Sequence, residues 1–227
     1  MQPKVKATNL SYKINEKKLF QNISFELMAG KAIHIQGDNG SGKTTLLKII
    51  CGLTNQVKGE IEKKLDKQIC FLGHKNALKQ YLTVEENLSL LNIINHPDLK
   101  QHLIEFGLDK SLDINLSSLS FGQQKKIALL RVFLNNSDLI LLDEPCVGLD
   151  TQSQNYLCSF LNNELKLKKS ILFSSHISLD INSKKLNLWY TNALFKYFLS
   201  VGLNLFNTQL DTRSLLPGWP TPILILI

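Results

Sequence analysis

Two short stretches of this chain pair residue types with spacings that could do phosphate chemistry. GDNGSGKTT, residues 37–45, satisfies the pattern G-x-x-x-x-G-K-[ST]. Glycines at 37, 40 and 42 allow a tight turn in which successive backbone N–H groups point inward at an anion. The helix predicted to follow adds the positive end of its dipole. Lys43 is placed to reach β- and γ-phosphates, and the Thr44 hydroxyl to ligate Mg²⁺. The nucleotide-binding loop is therefore Gly37, Asp38, Asn39, Gly40, Ser41, Gly42, Lys43, Thr44 and Thr45. LILLDEP, residues 139–145, then puts Asp143 and Glu144 at the exit of an apolar run. In open α/β sheets ligands bind at such exits. Asp143 is the candidate Mg²⁺ carboxylate, and Glu144, one residue on, the candidate base for an attacking water. An isolated Asp-Glu pair reads more readily as an acidic turn or a helix cap; the phosphate loop upstream reverses that preference in favour of chemistry.

A third stretch, LSFGQQKKIALLRVFL at 119–134, carries an S-x-x-Q capping box, Ser120 with Gln123, ahead of an apolar helix. On its own it is a helix start and nothing more.

These residues need elements to hold them. AIHIQG (32–37), QICFLG (68–73), LILL (139–142) and SILFSSH (170–176) are compact apolar runs of the kind buried on both faces of a parallel sheet. Residues 5–28 read as short strands around a polar turn at Asn15–Lys18. TTLLKIICGL is a helix ending near Gly52, and the pattern from Thr83 to about Asn136 is mostly helical, broken near His96-Pro97 and at LDINLSSLS. Strands alternating with helices define an α/β core with a helical insertion. Of the 227 residues, 44% are apolar and 20% charged, as in an ordinary folded protein. The net charge of +7 comes almost wholly from scattered lysines and suits an anionic partner. Cys51, Cys70, Cys146 and Cys158 have no metal-ligand spacing and read as reduced, packed thiols. No apolar h-region opens the chain and no apolar run reaches the roughly 20 residues of a membrane span; ALFKYFLSVGLNLF (193–206) is interrupted by Lys196.

Taken in order, these motifs resemble those of the ABC-transporter ATPase family over about residues 5–190. GDNGSGKTT matches the family's phosphate loop, LSFGQQ its signature, LILLDEP its metal and base strand, VGLD (147–150) its D-loop, and His176 in LFSSH its switch histidine. Tyr12 stands where the family has an aromatic that stacks on adenine. The resemblance implies a P-loop NTPase fold of ABC type: a mixed sheet core, an N-terminal antiparallel β part and a helical subdomain at roughly 75–136. It implies ATP and Mg²⁺ as cofactors and head-to-tail pairing of two domains. Ser120, Gly122 and Gln123 of one would then close over the γ-phosphate on Lys43 of the other, with Asp150 contributing from the D-loop. Phe121 departs from the family, which has glycine or a small residue there, so its ring is expected to alter closure or local packing.

Within the family, the segment at 69–88 normally carries, at the end of its strand, a glutamine that senses Mg²⁺ and the attacking water. His74 fills that place here. GHKNALK followed by LTVEENL resembles the branch serving cytochrome c maturation, the haem-exporter ATPase subunits. That branch implies a multi-pass membrane partner and no nucleic acid. It implies a peripheral position on the cytoplasmic face of a bacterial inner membrane, or on the matrix side of the mitochondrial one. The expected organisation is an ATP-binding domain over 1–190 and an extension of unknown role over 191–227. Two other readings stay open: an ATPase for a different transporter, and a non-transport or non-hydrolysing cassette acting as a binding module.

Overall fold

The structure, a computed structural model, describes residues 2–188 apart from 16 and 57; the predicted extension at 191–227 lies outside the described residues. The chain opens with β1 (Val5–Ile14) and β2 (Lys17–Leu27). These are long antiparallel strands, not the short ones expected, and they join through a tighter turn. Breaks in register along β1 hid them from a strict alternation. Asn9 sits at one such break with φ +52°, a conformation asparagine tolerates, and its N–H donates to Ser24 Oγ at 2.8 Å. Val5, Ala7 and Leu10 nevertheless point to one buried face.

β3 (Ala32–Gln36) leads through the glycine-rich loop into α1 (Lys43–Cys51). Gly52 ends that helix in the left-handed conformation, its N–H bonded back to Ile49 O. β4 (Lys58–Lys63), absent from the sequence reading, follows; its pattern KGEIEK is largely exposed and offers little apolar signal. It completes an antiparallel sheet of order β2-β1-β4.

β5 (Ile69–Leu72) then precedes the helical insertion, built of α2 (Val84–Leu90), α3 (Leu99–Glu105), a single 3-10 turn at Leu116–Ser118 and α4 (Phe121–Phe133). Thr83 and Glu86 cap α2 reciprocally, at 3.1 and 2.8 Å. β6 (Leu139–Asp143), α5 (Thr151–Lys166), β7 (Ser170–Ser174) and β8 (Ser183–Asn187) complete the described chain. β8 also went unread, because SKKLN alternates weakly and carries two lysines.

The second sheet has order β5-β6-β7-β3-β8, and every pair in it is parallel. The antiparallel and parallel strands of the expected mixed core thus fall in two separate sheets. β6 and β7 are buried at every position, which is why LILLD and SILFS read as continuous apolar runs. One core cluster fills the space between the two sheets around α1, with Leu46, Leu47 and Ile50 fully buried. The other joins the helical insertion to the parallel sheet through α4 and α5. Within it Phe133 stacks on Tyr156 and Phe160, and His102 Nδ1 lies 2.7 Å from the Tyr156 hydroxyl. The side chains of Cys70, Cys146 and Cys158 are buried thiols; burial raises Cys146 to about 12, well out of the reactive range. Among the described residues no helix is long and apolar enough to cross a membrane.

Candidate active site

Because β5, β6, β7 and β3 are parallel neighbours, the loops that leave them open on one edge of the sheet. That edge holds a cavity of about 930 Å³ lined by residues from all four exits: His74 after β5, Asp143 and Glu144 at β6, His176 after β7, and Asn39, Gly40, Gly42, Lys43, Thr44 and Thr45 after β3.

The phosphate loop owes its shape to Gly42, which caps α1 at φ +100°. A Cβ there would also come within 2.9 Å of the Phe20 ring. No side chain caps α1. Its first N–H groups therefore stay available to an anion. Lys43 is buried, and its ammonium donates to the carbonyls of Gly37 and Asp38 at 2.8 and 3.2 Å.

Thr44 Oγ1 donates to Asp143 Oδ2 at 2.7 Å, so the two predicted metal ligands meet across the α1–β6 contact. Asp143 is held from its other side by Ser174 Oγ, also at 2.7 Å. The same serine oxygen accepts from Glu144 N–H at 3.2 Å. Glu144 adopts φ +50°. Glu144 Oε2 accepts the His176 backbone N–H at 3.1 Å. Glu144 Oε1 is buried and has no hydrogen-bond partner among the described residues. It lies 3.5 Å from His176 Nε2, too long for a strong bond. His176 Nε2 is 3.0 Å from Asn39 Oδ1, tying the β7 exit to the phosphate loop.

Three supporting residues escaped the sequence reading. Ser174 reads in the sequence only as part of a strand run. His34, in β3, stacks on Phe173 at 4.6 Å and places Nε2 2.9 Å from Ser175 O, fixing the turn before His176. Lys125, on α4, is 1% exposed. Burial lowers its pKa, while the carboxylates of Asp143 and Glu144 and the Cys146 thiol oppose that shift. A charged side chain on an exposed-looking helix gives no sign of such burial.

Tyr12 is half-buried in β1; its ring stacks on Phe20 at 6.2 Å and packs on the core. Ile14, Asn15 and Leu19 of the same hairpin line the cavity.

Ser120, Gly122 and Gln123 lie outside this cavity. Ser120 caps α4 as its pattern predicts: Gln123 N–H donates to Ser120 Oγ at 3.3 Å, and Ser120 N–H to Gln123 Oε1 at 2.9 Å. Asp150 is also outside; it caps α5 through Ser153 N–H at 2.8 Å. It also pairs with Lys126 at 2.6 Å. The Lys126 ammonium, then the Ser153 bonds, hold its carboxyl well below the usual range. Phe121 is 53% exposed, and its ring covers Gly148: a Cβ on Gly148, at φ +82°, would come 2.5 Å from Phe121 Cδ1.

A parallel sheet with a phosphate loop on one strand exit, a carboxylate pair on another and a helical insertion bearing a capped signature helix defines a nucleoside triphosphatase of the ATP-binding-cassette class. The chain belongs to the ABC transporter family, whose model matches residues 20–147. It is 38% identical over 186 residues to the cytochrome c biogenesis ATP-binding export protein of Legionella pneumophila (strain Lens), covering 76% of this chain and 92% of that one. The protein of the same description from Vibrio vulnificus (strain YJ016) is 34% identical over 197 residues, covering 80% and 96%. Among solved structures, an ABC transporter ATP-binding protein from Pyrococcus furiosus superposes with TM-score 0.69 at 26% identity, covering 81% of this chain and 96% of that one. An ATP-binding cassette solved as a post-hydrolysis dimer with ADP and Pi gives TM-score 0.64 at 26% identity, covering 76% and 88%. This chain is accordingly an ATP-binding, ATP-hydrolysing subunit of an ABC transporter.

Proposed function

We propose that the chain powers cytochrome c maturation, as a peripheral ATPase bound to a multi-pass membrane subunit on the cytoplasmic face of a bacterial inner membrane. The curated relatives named above carry that function in their descriptions and come from bacteria, which favours the bacterial over the mitochondrial setting. One observation carries the catalytic part: Glu144 lines the cavity that also holds Lys43 and His176, and its buried Oε1 has no hydrogen-bond partner among the described residues.

In this reading the α1 N–H groups and the Lys43 ammonium bind the β- and γ-phosphates and neutralise their charge. Glu144 Oε1 accepts a proton from the attacking water, while the His176 backbone N–H holds Oε2 in place. The oxygen donors Thr44 Oγ1 and Asp143 Oδ2 suit a hard cation, and Ser174 holds Asp143 for it. Held by Thr44 and Asp143, Mg²⁺ would supply electrostatic stabilisation of charge on the phosphates. His74, on the cavity wall after β5, takes part of the role that a glutamine has in related ATPases, meeting water or metal through one ring nitrogen.

Ser120, Gly122 and Gln123 lie outside the chain's own cavity, so they are assigned to the γ-phosphate of a second copy paired head to tail. The capped N-terminus of α4, with its free N–H groups, supplies the anion contact. Closure around ATP and reopening after hydrolysis would move the membrane partner. Purification of the tagged full-length chain from detergent-solubilised bacterial membranes should recover a multi-pass subunit of the cytochrome c maturation system. Recovery of ribosomes or of an unrelated permease contradicts the assignment.

A further inference from the structure

Residues from β3, β6 and β7 meet at one peptide, the bond between Ser175 and His176. His34 Nε2, from β3, donates to Ser175 O at 2.9 Å, and the His176 N–H donates to Glu144 Oε2, after β6, at 3.1 Å. That carbonyl and that N–H belong to a single planar unit, so the direction of one fixes the direction of the other. Among the described residues this N–H is the only hydrogen-bond donor to the Glu144 carboxylate, since Oε1 has none. A carbonyl can only accept, so His34 carries a proton on Nε2. Its Nδ1 lies 3.4 Å from Gln36 Nε2, an amide nitrogen that can only donate. Register sets the ring: His34 pairs with Phe173 across the parallel β3–β7 ladder, and the two rings stack at 4.6 Å and 12°. Ser175 is buried, so its carbonyl would have to turn to replace a lost donor.

We propose that His34 is a positioning residue for hydrolysis: through the 175–176 peptide it holds Glu144 Oε2 in place and so fixes where Oε1 meets the attacking water. This deepens the reading of Glu144 as the base and rests on it. His34 is not among the cavity-lining residues, so its effect passes through the peptide and not through contact with nucleotide. The bonds from Gln36 to His34, from His34 to the peptide and from the peptide to Glu144 all donate in one sense. Each therefore polarises the next, and the chain ends on the carboxylate. A merely structural His34 would serve by stacking on Phe173, and the two roles ask for different chemistry. Stacking needs a flat ring; positioning needs an N–H where Nε2 stands. Phenylalanine keeps the ring and loses the donor. Glutamine loses the ring but can bring an amide N–H to that place, whereas the asparagine amide falls one bond short.

The test measures kcat and KM for Mg²⁺-ATP hydrolysis by the full-length chain, in membranes with the partner subunit. It compares wild type with His34→Phe, His34→Gln, His34→Asn and Glu144→Gln, each checked for folding by circular dichroism after purification. His34→Phe and His34→Asn should lower kcat about tenfold and leave KM within about twofold, because the base loses its fixed geometry while the phosphate loop is untouched. His34→Gln should stay within about threefold of the wild-type kcat, a rescue by the donor alone. The reverse order, with His34→Phe at the wild-type rate and His34→Gln impaired, shows that the ring only packs and overturns the proposal. A raised KM with unchanged kcat in His34→Phe overturns it too. Should His34→Phe fail to fold, the contrast between Gln and Asn decides, and equal rates for those two variants overturn the proposal. Glu144→Gln separates the two readings: a wild-type rate for it overturns Glu144 as base and the proposal with it. An inactive Glu144→Gln beside a fully active His34→Asn overturns the proposal alone.

Discussion

Glu144 keeps its backbone at φ +50°, a conformation a side chain of its kind adopts only when its surroundings hold it there. Two bonds to Ser174 do so, one to its carbonyl and one to its hydroxyl, both at 3.2 Å. The same hydroxyl donates to Asp143, so a single serine holds both Glu144, the proposed base, and Asp143, a proposed metal ligand. Ser174→Ala leaves a buried carboxylate oxygen short of a donor and should cost about 1–3 kcal/mol of stability in urea denaturation. It should also lower ATP turnover by roughly tenfold as the carboxylates lose their fixed geometry. Asp143 and Glu144 were legible because two acids end an apolar run downstream of a phosphate loop. Ser174 was not, since a serine at a strand end carries no signal until the parallel neighbour is known. The packing of Tyr12 on Phe20 was likewise not legible, because register breaks along β1 obscure which strand residues face each other.

α4 and the loop before α5 form a second rigid join. The Phe121 ring lies on Gly148, a Cβ on Gly122 would stand 2.4 Å from Gly148 O, and Lys126 pairs with Asp150 at 2.6 Å. The start of α4 and the segment at 147–150 are thus packed against each other. The expectation that Phe121 alters local packing has this contact as its physical form. Gly148→Ala combines left-handed strain with a collision against the ring and should destabilise the fold by about 1–3 kcal/mol. Phe121→Ala removes only the collision. In a double-mutant cycle by urea denaturation the pair should cost clearly less than the sum of the two single changes. Additive costs would mean that the ring does not press on the loop. At this scale the sequence showed where the capped helix begins, but not that Gly148 would lie against its first residues.

Across the molecule, the parallel order β5-β6-β7-β3 is what turns four separate sequence motifs into one cavity. The buried strands were readable because both of their faces are apolar. β4 and β8 were not, because edge strands with exposed lysines resemble loops in sequence. The helical insertion was readable as helix, yet its attachment through the Phe133–Tyr156–Phe160 stack depends on contacts made far apart in the chain. The net charge of +7 favours an anionic ligand or surface without naming it; the cavity supplies the phosphate chemistry. The central claim is that this cavity hydrolyses ATP with Glu144 as base. The direct measurement is phosphate release from Mg²⁺-ATP by wild type and Glu144→Gln, each in membranes with the partner subunit, alongside ATP binding. The account predicts steady release by wild type, at least about a hundredfold less by Glu144→Gln, and equal ATP binding by both. Equal rates above background for the two proteins would contradict it.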